Sequence, residues 1–193
     1  MNYLAHAYLS FGQPEIVVGN MISDFVKGKK RFEFPGQIQK GIMLHRSIDA
    51  FTDEHAATKK AKQVFKPVVG LYAGAFIDVV YDHFLALDAI EFSDESLLEF
   101  SLSVYSTLDQ YQPVFPERFV RLFHYMQQEN WLYNYRTVSR IQKSFGGLLY
   151  RAKYLNEDAP VFDCFQKNYA YLKECYTVFF PEVKKFAFSQ LAS

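Results

Sequence analysis

The sequence is poor in cysteine, in strand signals and in net charge, and each shortage excludes something. There are two cysteines, Cys164 and Cys175, in 193 residues. Their spacing matches no metal or redox motif. On a single helix, a separation of eleven positions corresponds to roughly 16 Å, too far for a disulfide. Lys and Arg total 21 and Asp and Glu total 21, giving a formal net charge of zero, which excludes a generally basic nucleic-acid binder. Half of the residues are hydrophobic and 22% are charged, a balance that argues against intrinsic disorder. We find no apolar run approaching the ~18 residues of a membrane span. The opening MNYLAHAYLS has no basic segment followed by an apolar one, as a secretory signal would. The expectation is a soluble, cytoplasmic protein without nucleic-acid or membrane partners. No alternating run is closed by an Asn-Gly or Asp-Gly turn, and there is no Gly-rich phosphate loop, G-x-S-x-G elbow, H-E-x-x-H or fixed-period repeat.

Aromatic residues, by contrast, are abundant: 20 Phe and 14 Tyr beside one Trp. Large rings bury much area with few rotatable bonds, so they predict a thick core. Helical period dominates the chain. Pro14, Pro35, Pro67, Pro113, Pro116, Pro160 and Pro181 divide it into helix-sized pieces, because proline opens helices but breaks their interiors. The pattern predicts helices near 2–10, 15–28, 36–51, 54–65, 69–88, 95–111, 116–128, 137–154 and 160–190, the last with a bend at Pro181. The predicted fold is all-α, one domain over 1–193, a bundle of eight or nine helices.

Charge is balanced in sum but not in place. From Asp24 to Lys66 there are ten Lys or Arg against five acids; from Pro67 to Glu117 there are nine acids and no Lys or Arg. Clustered solvated faces explain this as simply as an acidic partner docked on the first stretch does.

Ionisable residues also fall on faces that the helical period assigns to the core. In 36–51, Ile38, Ile42, His45 and Asp49 form one stripe. In Leu71–Leu87, apolar nearly all round, Asp78 and Asp82 share a stripe with Leu71 and Ala75, and His83 follows about 100° away. Gly74 and Ala75 leave room beside these carboxylates. Asn20 and Asp24 lie at i, i+4 along the edge of the face made by Val17, Met21 and Phe25. For His45 and Asp49 alone, a core histidine bonded to an aspartate is the simpler reading. Three helices with inward acids instead call for a common cation. Carboxylates and imidazoles without thiolates favour Mn²⁺ or Mg²⁺ over Zn²⁺. Arg46 lies a quarter-turn off the His45 stripe, within reach of a phosphate or of Asp49 or Asp53, and Asp53 or Thr52 can cap the next helix. His6 can join the site or pack.

Four segments in this order and spacing, MNYLAHAYLS, GNMISDFVKG, GIMLHRSIDAFTD and IDVVYDHFL, together with the WLYNYR region around Trp131, resemble the acyl carrier protein phosphodiesterase family over essentially the whole chain. That family is similar to the HD phosphohydrolases, and the resemblance implies an HD-like, Mn²⁺-dependent hydrolase. The implied reaction cleaves the phosphodiester joining 4′-phosphopantetheine to a serine of acyl carrier protein. The usual His-Asp doublet is absent, and Asp82-His83 stands in reversed order. On this footing His45, Asp82 and His83 are the expected metal ligands, with Asp24 and Asp78 next and one of the inward acids as general base. Arg46 would stabilise the phosphate, and Asp49 would accept the other ring N–H of His45 or orient Arg46. Lys27, Lys29, Lys30 and Arg31, with Lys59, Lys60 and Lys62, are the expected docking surface for the acidic carrier protein. The basic C-terminal third from Arg118 to Lys185 is the other possibility. Two further readings remain open: a metal-dependent hydrolase of a nucleotide or other small phosphodiester, and a non-catalytic helical module that binds an acidic protein.

Overall fold

A computed structural model describes residues 1–192. Among them there are eleven α-helices and no strand: α1 (Tyr3–Tyr8), α2 (Pro14–Ile22), α3 (Gly36–Glu54), α4 (Ala56–Val69), α5 (Ala73–Ala86), α6 (Asp94–Gln110), α7 (Glu117–Gln128), α8 (Trp131–Asn134), α9 (Val138–Arg151), α10 (Val161–Lys167) and α11 (Tyr169–Ala192). The all-α expectation holds, with more helices than the eight or nine read from the pattern.

Proline marks the starts as expected. Pro14 opens α2, while Pro35, Pro116 and Pro160 stand immediately before α3, α7 and α10. Ser93 closes a capping box on α6. Several boundaries differ. The helix expected over 15–28 stops at Ile22, because the chain tightens into a 3₁₀ turn at Ser23–Phe25 and Val26 is extended. The basic run Lys27–Arg31 then lies in an exposed turn begun by Gly28 at φ 56°. The helix expected over 160–190 is two, parted at Asn168, whose N–H turns back to the carbonyls of Cys164 and Phe165. Pro67 and Pro181 lie inside α4 and α11 and mark no boundary, so the helix expected over 54–65 runs on to Val69. Cys164 and Cys175 therefore sit on different helices, and both are free thiols.

One apolar stretch does reach membrane-spanning length and composition: Ala56–Ala86 holds an 18-residue window of mean hydropathy 1.5. It is not one straight helix. Gly70, at φ 54°, turns the chain between α4 and α5. The apolar character of α5 has an internal cause, since Ile77, Val80, Tyr81 and Leu85 have no exposed surface. Each such side chain contributes about 1.5–3 kcal/mol by burial. Phe65, Phe76, Phe145 and Phe165 extend this core as a chain of ring contacts linking α4, α5, α9 and α10. Most of the aromatic excess is thus packing.

The contact that positions the site is the crossing of α2 and α3. Gly19 and Gly41 meet there backbone to backbone: a Cβ on Gly19 would stand 2.1 Å from the Ile38 carbonyl oxygen, and one on Gly41 would stand 2.4 Å from that of Ile16. Only glycine permits this approach, which brings the end of α2 against the middle of α3.

A candidate metal centre beside a groove

The close crossing sets the orientation of His45. Its Nδ1 lies 2.8 Å from the backbone carbonyl of Asn20, which can only accept, so Nδ1 carries the proton. Nε2 is thereby turned toward Asp24 Oδ1 and Asp49 Oδ2, each 3.2 Å away. Asn20 is itself anchored, donating to the His6 carbonyl at 2.9 Å and to Ser10 Oγ at 3.1 Å.

The same link brings His6 into the cluster. Its ring stacks on His45, with centroids 3.8 Å apart, and its Nε2 stands 3.2 Å from Asp49 Oδ1. That approach is out of line for a hydrogen bond, so both ring nitrogens of this buried histidine lack a partner. Donor atoms of His6, His45 and Asp49 all lie within 4.8 Å of one another. The sequence left His6 undecided; its short helix carries no second ligand-like residue to give it away.

Exposure changes across the cluster. The side chains of His6 and His45 are 3% and 8% exposed, whereas those of Asp78, Asp49 and Asp24 are 33%, 43% and 64% exposed. Asp24 is at the rim and not inward as its helical spacing predicted, because α2 ends before reaching it. Its hydrogen bond with His45 holds its carboxyl below the usual range. Burial opposes the charge of Asp49, but His45, His6 and the amino terminus together hold that carboxyl far below the usual range. Burial also opposes the charge of His45, yet Asp24 and Asp49 raise it to about 9. His6 is pushed down to about 4 by burial and by the neighbouring His45. One ring is thus charged beside two carboxylates, and the other is neutral with an unused lone pair.

Asp78 joins through the α-ammonium of Met1. That group lies 2.8 Å from Asp78 Oδ1 and 3.5 Å from Asp49 Oδ1. Burial disfavours its charge, but the two carboxylates raise it to about 10. Burial pushes Asp78 upward against the pull of this ammonium.

Asp82 and His83, which the sequence offered as ligands, have other partners. The Asp82 carboxylate accepts the backbone N–H groups of Asn2 (3.2 Å), Leu4 (2.7 Å) and Ala5 (3.3 Å), so it caps the start of α1. The amino terminus and those donors oppose its burial, which still raises the carboxyl to about 7. His83 donates from Nδ1 to the Tyr135 carbonyl at 2.7 Å and accepts at Nε2 from the Tyr169 hydroxyl at 3.1 Å. It is a satisfied core histidine. Arg46 donates to the Val26 carbonyl at 2.9 Å, holding the loop behind Asp24.

A groove of about 670 Å³ adjoins the cluster through Met1, Asp24 and Asp78, whereas His6, His45 and Asp49 do not line it. Arg118, Arg140, Lys143 and Arg151 line it as well. Trp131, Tyr125, Leu122 and Leu148 supply apolar surface. None of the seven expected docking residues lines it. Lys27, Lys29, Lys30, Lys59 and Lys60 are exposed outside it. Arg31 covers the Phe32 ring at 4.6 Å, and Lys62 pairs with Asp53 at 2.6 Å.

Residues 1–183 match the family described as acyl carrier protein phosphodiesterase. Curated relatives with that name come from Enterobacter sp. (strain 638), 33% identical over 95% of each chain, and from Klebsiella pneumoniae subsp. pneumoniae, 32% identical over 97% of each chain. No solved structure matches significantly. The match spans nearly the whole length on both sides and contains all four residues of the cluster, so the chain belongs to the acyl carrier protein phosphodiesterase family.

Proposed function

We propose that this protein hydrolyses the phosphodiester that links 4′-phosphopantetheine to a serine of acyl carrier protein, using a divalent cation held by His6, His45 and Asp49 and completed by Asp24. The relatives' name supports the substrate. The observation that carries the cation is the pair of orphaned nitrogens on buried His6, beside a carboxylate and a second imidazole with converging donors. Two imidazoles and two carboxylates without thiolate suit Mn²⁺, or Mg²⁺, better than Zn²⁺. When bound, such a cation polarises a phosphoryl oxygen and makes water a stronger nucleophile at neutral pH.

The chain's own groups do the rest. The Asn20 carbonyl fixes the His45 tautomer, leaving Nε2 free to face the donor cluster. Asp78, on the groove wall and paired with the Met1 ammonium, is placed to take the proton of the water that adds to phosphorus and to return it to the departing serine oxygen as the phosphorus–oxygen bond to serine breaks. Arg46 positions the Asp24 loop through Val26. The exposed Lys27, Lys29 and Lys30 just beyond Asp24, with Lys59, Lys60 and Lys62, offer an anionic carrier protein a docking surface outside the groove. Two free thiols agree with a cytoplasmic setting.

Mass spectrometry of holo-acyl carrier protein incubated with the protein and Mn²⁺ tests the reaction. Loss of the phosphopantetheine mass supports it. An unchanged carrier protein beside a hydrolysed nucleotide panel would favour a small-phosphodiester hydrolase.

A further inference from the structure

The groove beside the cluster carries charge of both signs. Asp24, which contacts the proposed ligand His45, and Asp78 line it together with Arg118 on α7 and Arg140, Lys143 and Arg151 on α9. Two of the four are already engaged: Arg140 donates to Glu129 at 2.7 Å and covers Trp131 at 4.2 Å, and Lys143 reaches Glu129 at 2.6 Å. Arg118 and Arg151 have no acidic partner within 4.0 Å among the described residues. Tyr3, Asp24 and Arg151 all line the groove. The groove therefore holds two cationic groups without an acidic partner as well as the carboxylates.

The α9 side of the groove is one helical stripe: Arg140, Ser144, Gly147, Leu148 and Arg151. Gly147 is the bare point on it. A Cβ there would meet nothing closer than Arg151 Nη1 at 3.6 Å, so no backbone crowding requires glycine. Glycine weakens a helix interior, so its presence costs stability that alanine would not. What it leaves is space along the groove.

We propose that this groove is the channel for the phosphate-bearing arm of the carrier protein, with Arg118 and Arg151 as its anion-binding residues and Gly147 kept bare to let the arm pass. The proposal rests on the phosphodiesterase reading above. A volume of about 670 Å³ lies within the ~300–1,000 Å³ of small-ligand sites. Apolar and aromatic walls suit the methylene and methyl segments of an extended arm. The guanidinium groups suit a phosphate, which they bind in a fork geometry unavailable to lysine. The body of the carrier protein would then remain outside, against the exposed lysines.

Gly147→Leu fills the channel without a clash at the backbone, and Gly146→Leu is its control, since a side chain there meets nothing within 4 Å and lies off the groove. Both variants should keep or raise the melting temperature, because leucine is the better helix former. With holo-acyl carrier protein, Gly147→Leu should lose about tenfold or more in kcat/KM while Gly146→Leu stays within about twofold. With bis(4-nitrophenyl) phosphate, Gly146→Leu should match the native protein. Calorimetric titration with free 4′-phosphopantetheine gives a readout apart from turnover: binding should weaken in Gly147→Leu and in Arg151→Gln, and persist in Gly146→Leu. Unimpaired carrier-protein hydrolysis and unchanged binding in Gly147→Leu would overturn the channel. A native protein that hydrolyses bis(4-nitrophenyl) phosphate but binds no phosphopantetheine would also overturn it, while one that hydrolyses neither substrate would overturn the phosphodiesterase reading itself.

Discussion

The imidazoles of His6 and His45 stack with centroids 3.8 Å apart and planes 14° apart. Two positive rings at that distance repel, so the pair shares one charge. His45 takes it, because Asp24 and Asp49 both face its Nε2. His6 is left neutral and without a hydrogen-bond partner, the state a metal ligand requires, and a cation bound beside it would displace the Nε2 proton of His45. His6→Ala, His45→Ala and Asp49→Ala should each lower kcat by orders of magnitude while far-UV circular dichroism stays native. Near-normal turnover with only a lowered melting temperature would assign these residues to packing.

Asp82 should behave oppositely. It neutralises three backbone N–H groups at the start of α1, and hydrogen bonds to a charged group contribute about 1.5–3 kcal/mol. Asp82→Ala should lower urea stability by that order or more. Because α1 also carries His6, activity should fall only as far as the fold loosens, and Mn²⁺ affinity should be retained where the variant is folded.

These two aspartates show what the sequence could and could not reveal. His45 and Asp49 were legible because i, i+4 spacing on an apolar stripe is a local signal, and the structure joins them as read. Asp82 gave the same signal for a different reason. A buried carboxylate needs donors, and its donors lie 77 to 80 residues away in the chain, where periodicity carries no information. His6 was undecidable on the same ground, since its place depends on Asn20 and on the α2–α3 crossing. The helices themselves were largely marked by proline, but the break at Asn168 and the short α8 follow from tertiary packing and turn geometry that no spacing announces. Arg118, Leu122 and Tyr125 on α7 stand at helical spacing, as do Arg140, Ser144 and Arg151 on α9; only the fold shows that the two stripes face one groove.

The glycine contact makes a prediction that links fold to site. Gly19→Ala sets a methyl group about 2.1 Å from the Ile38 carbonyl oxygen, so α2 and α3 must separate. Overpacking of this kind costs about 1–3 kcal/mol. Separation also pulls the Asn20 carbonyl from His45, so the variant should lose Mn²⁺ affinity as well as thermal stability. Loss of stability alone, with native metal affinity, would mean that the crossing does not set the His45 orientation.

Glu129 gives a pH dependence of defined sign. Its hydrogen bond from Lys143, then those from Trp131 and Arg140, lower its carboxyl to about 2. A depressed folded value stabilises the protein above the ordinary carboxylate value of 4.5, and this contribution is lost as pH falls from there through about 2. Glu129→Gln should therefore lower the melting temperature near neutrality and flatten the acid limb between those limits. A limb as steep as the native one would show that other carboxylates set it.

The location of the metal is the centre of the account, and Mn²⁺ binding followed by electron paramagnetic resonance in matched variants tests it most directly. We predict saturable binding to the native protein and to folded Asp82→Asn, and its loss in His45→Ala and Asp49→Ala. Native-like binding in His45→Ala, or its selective loss in a folded Asp82→Asn protein, would contradict the assignment of His6, His45 and Asp49.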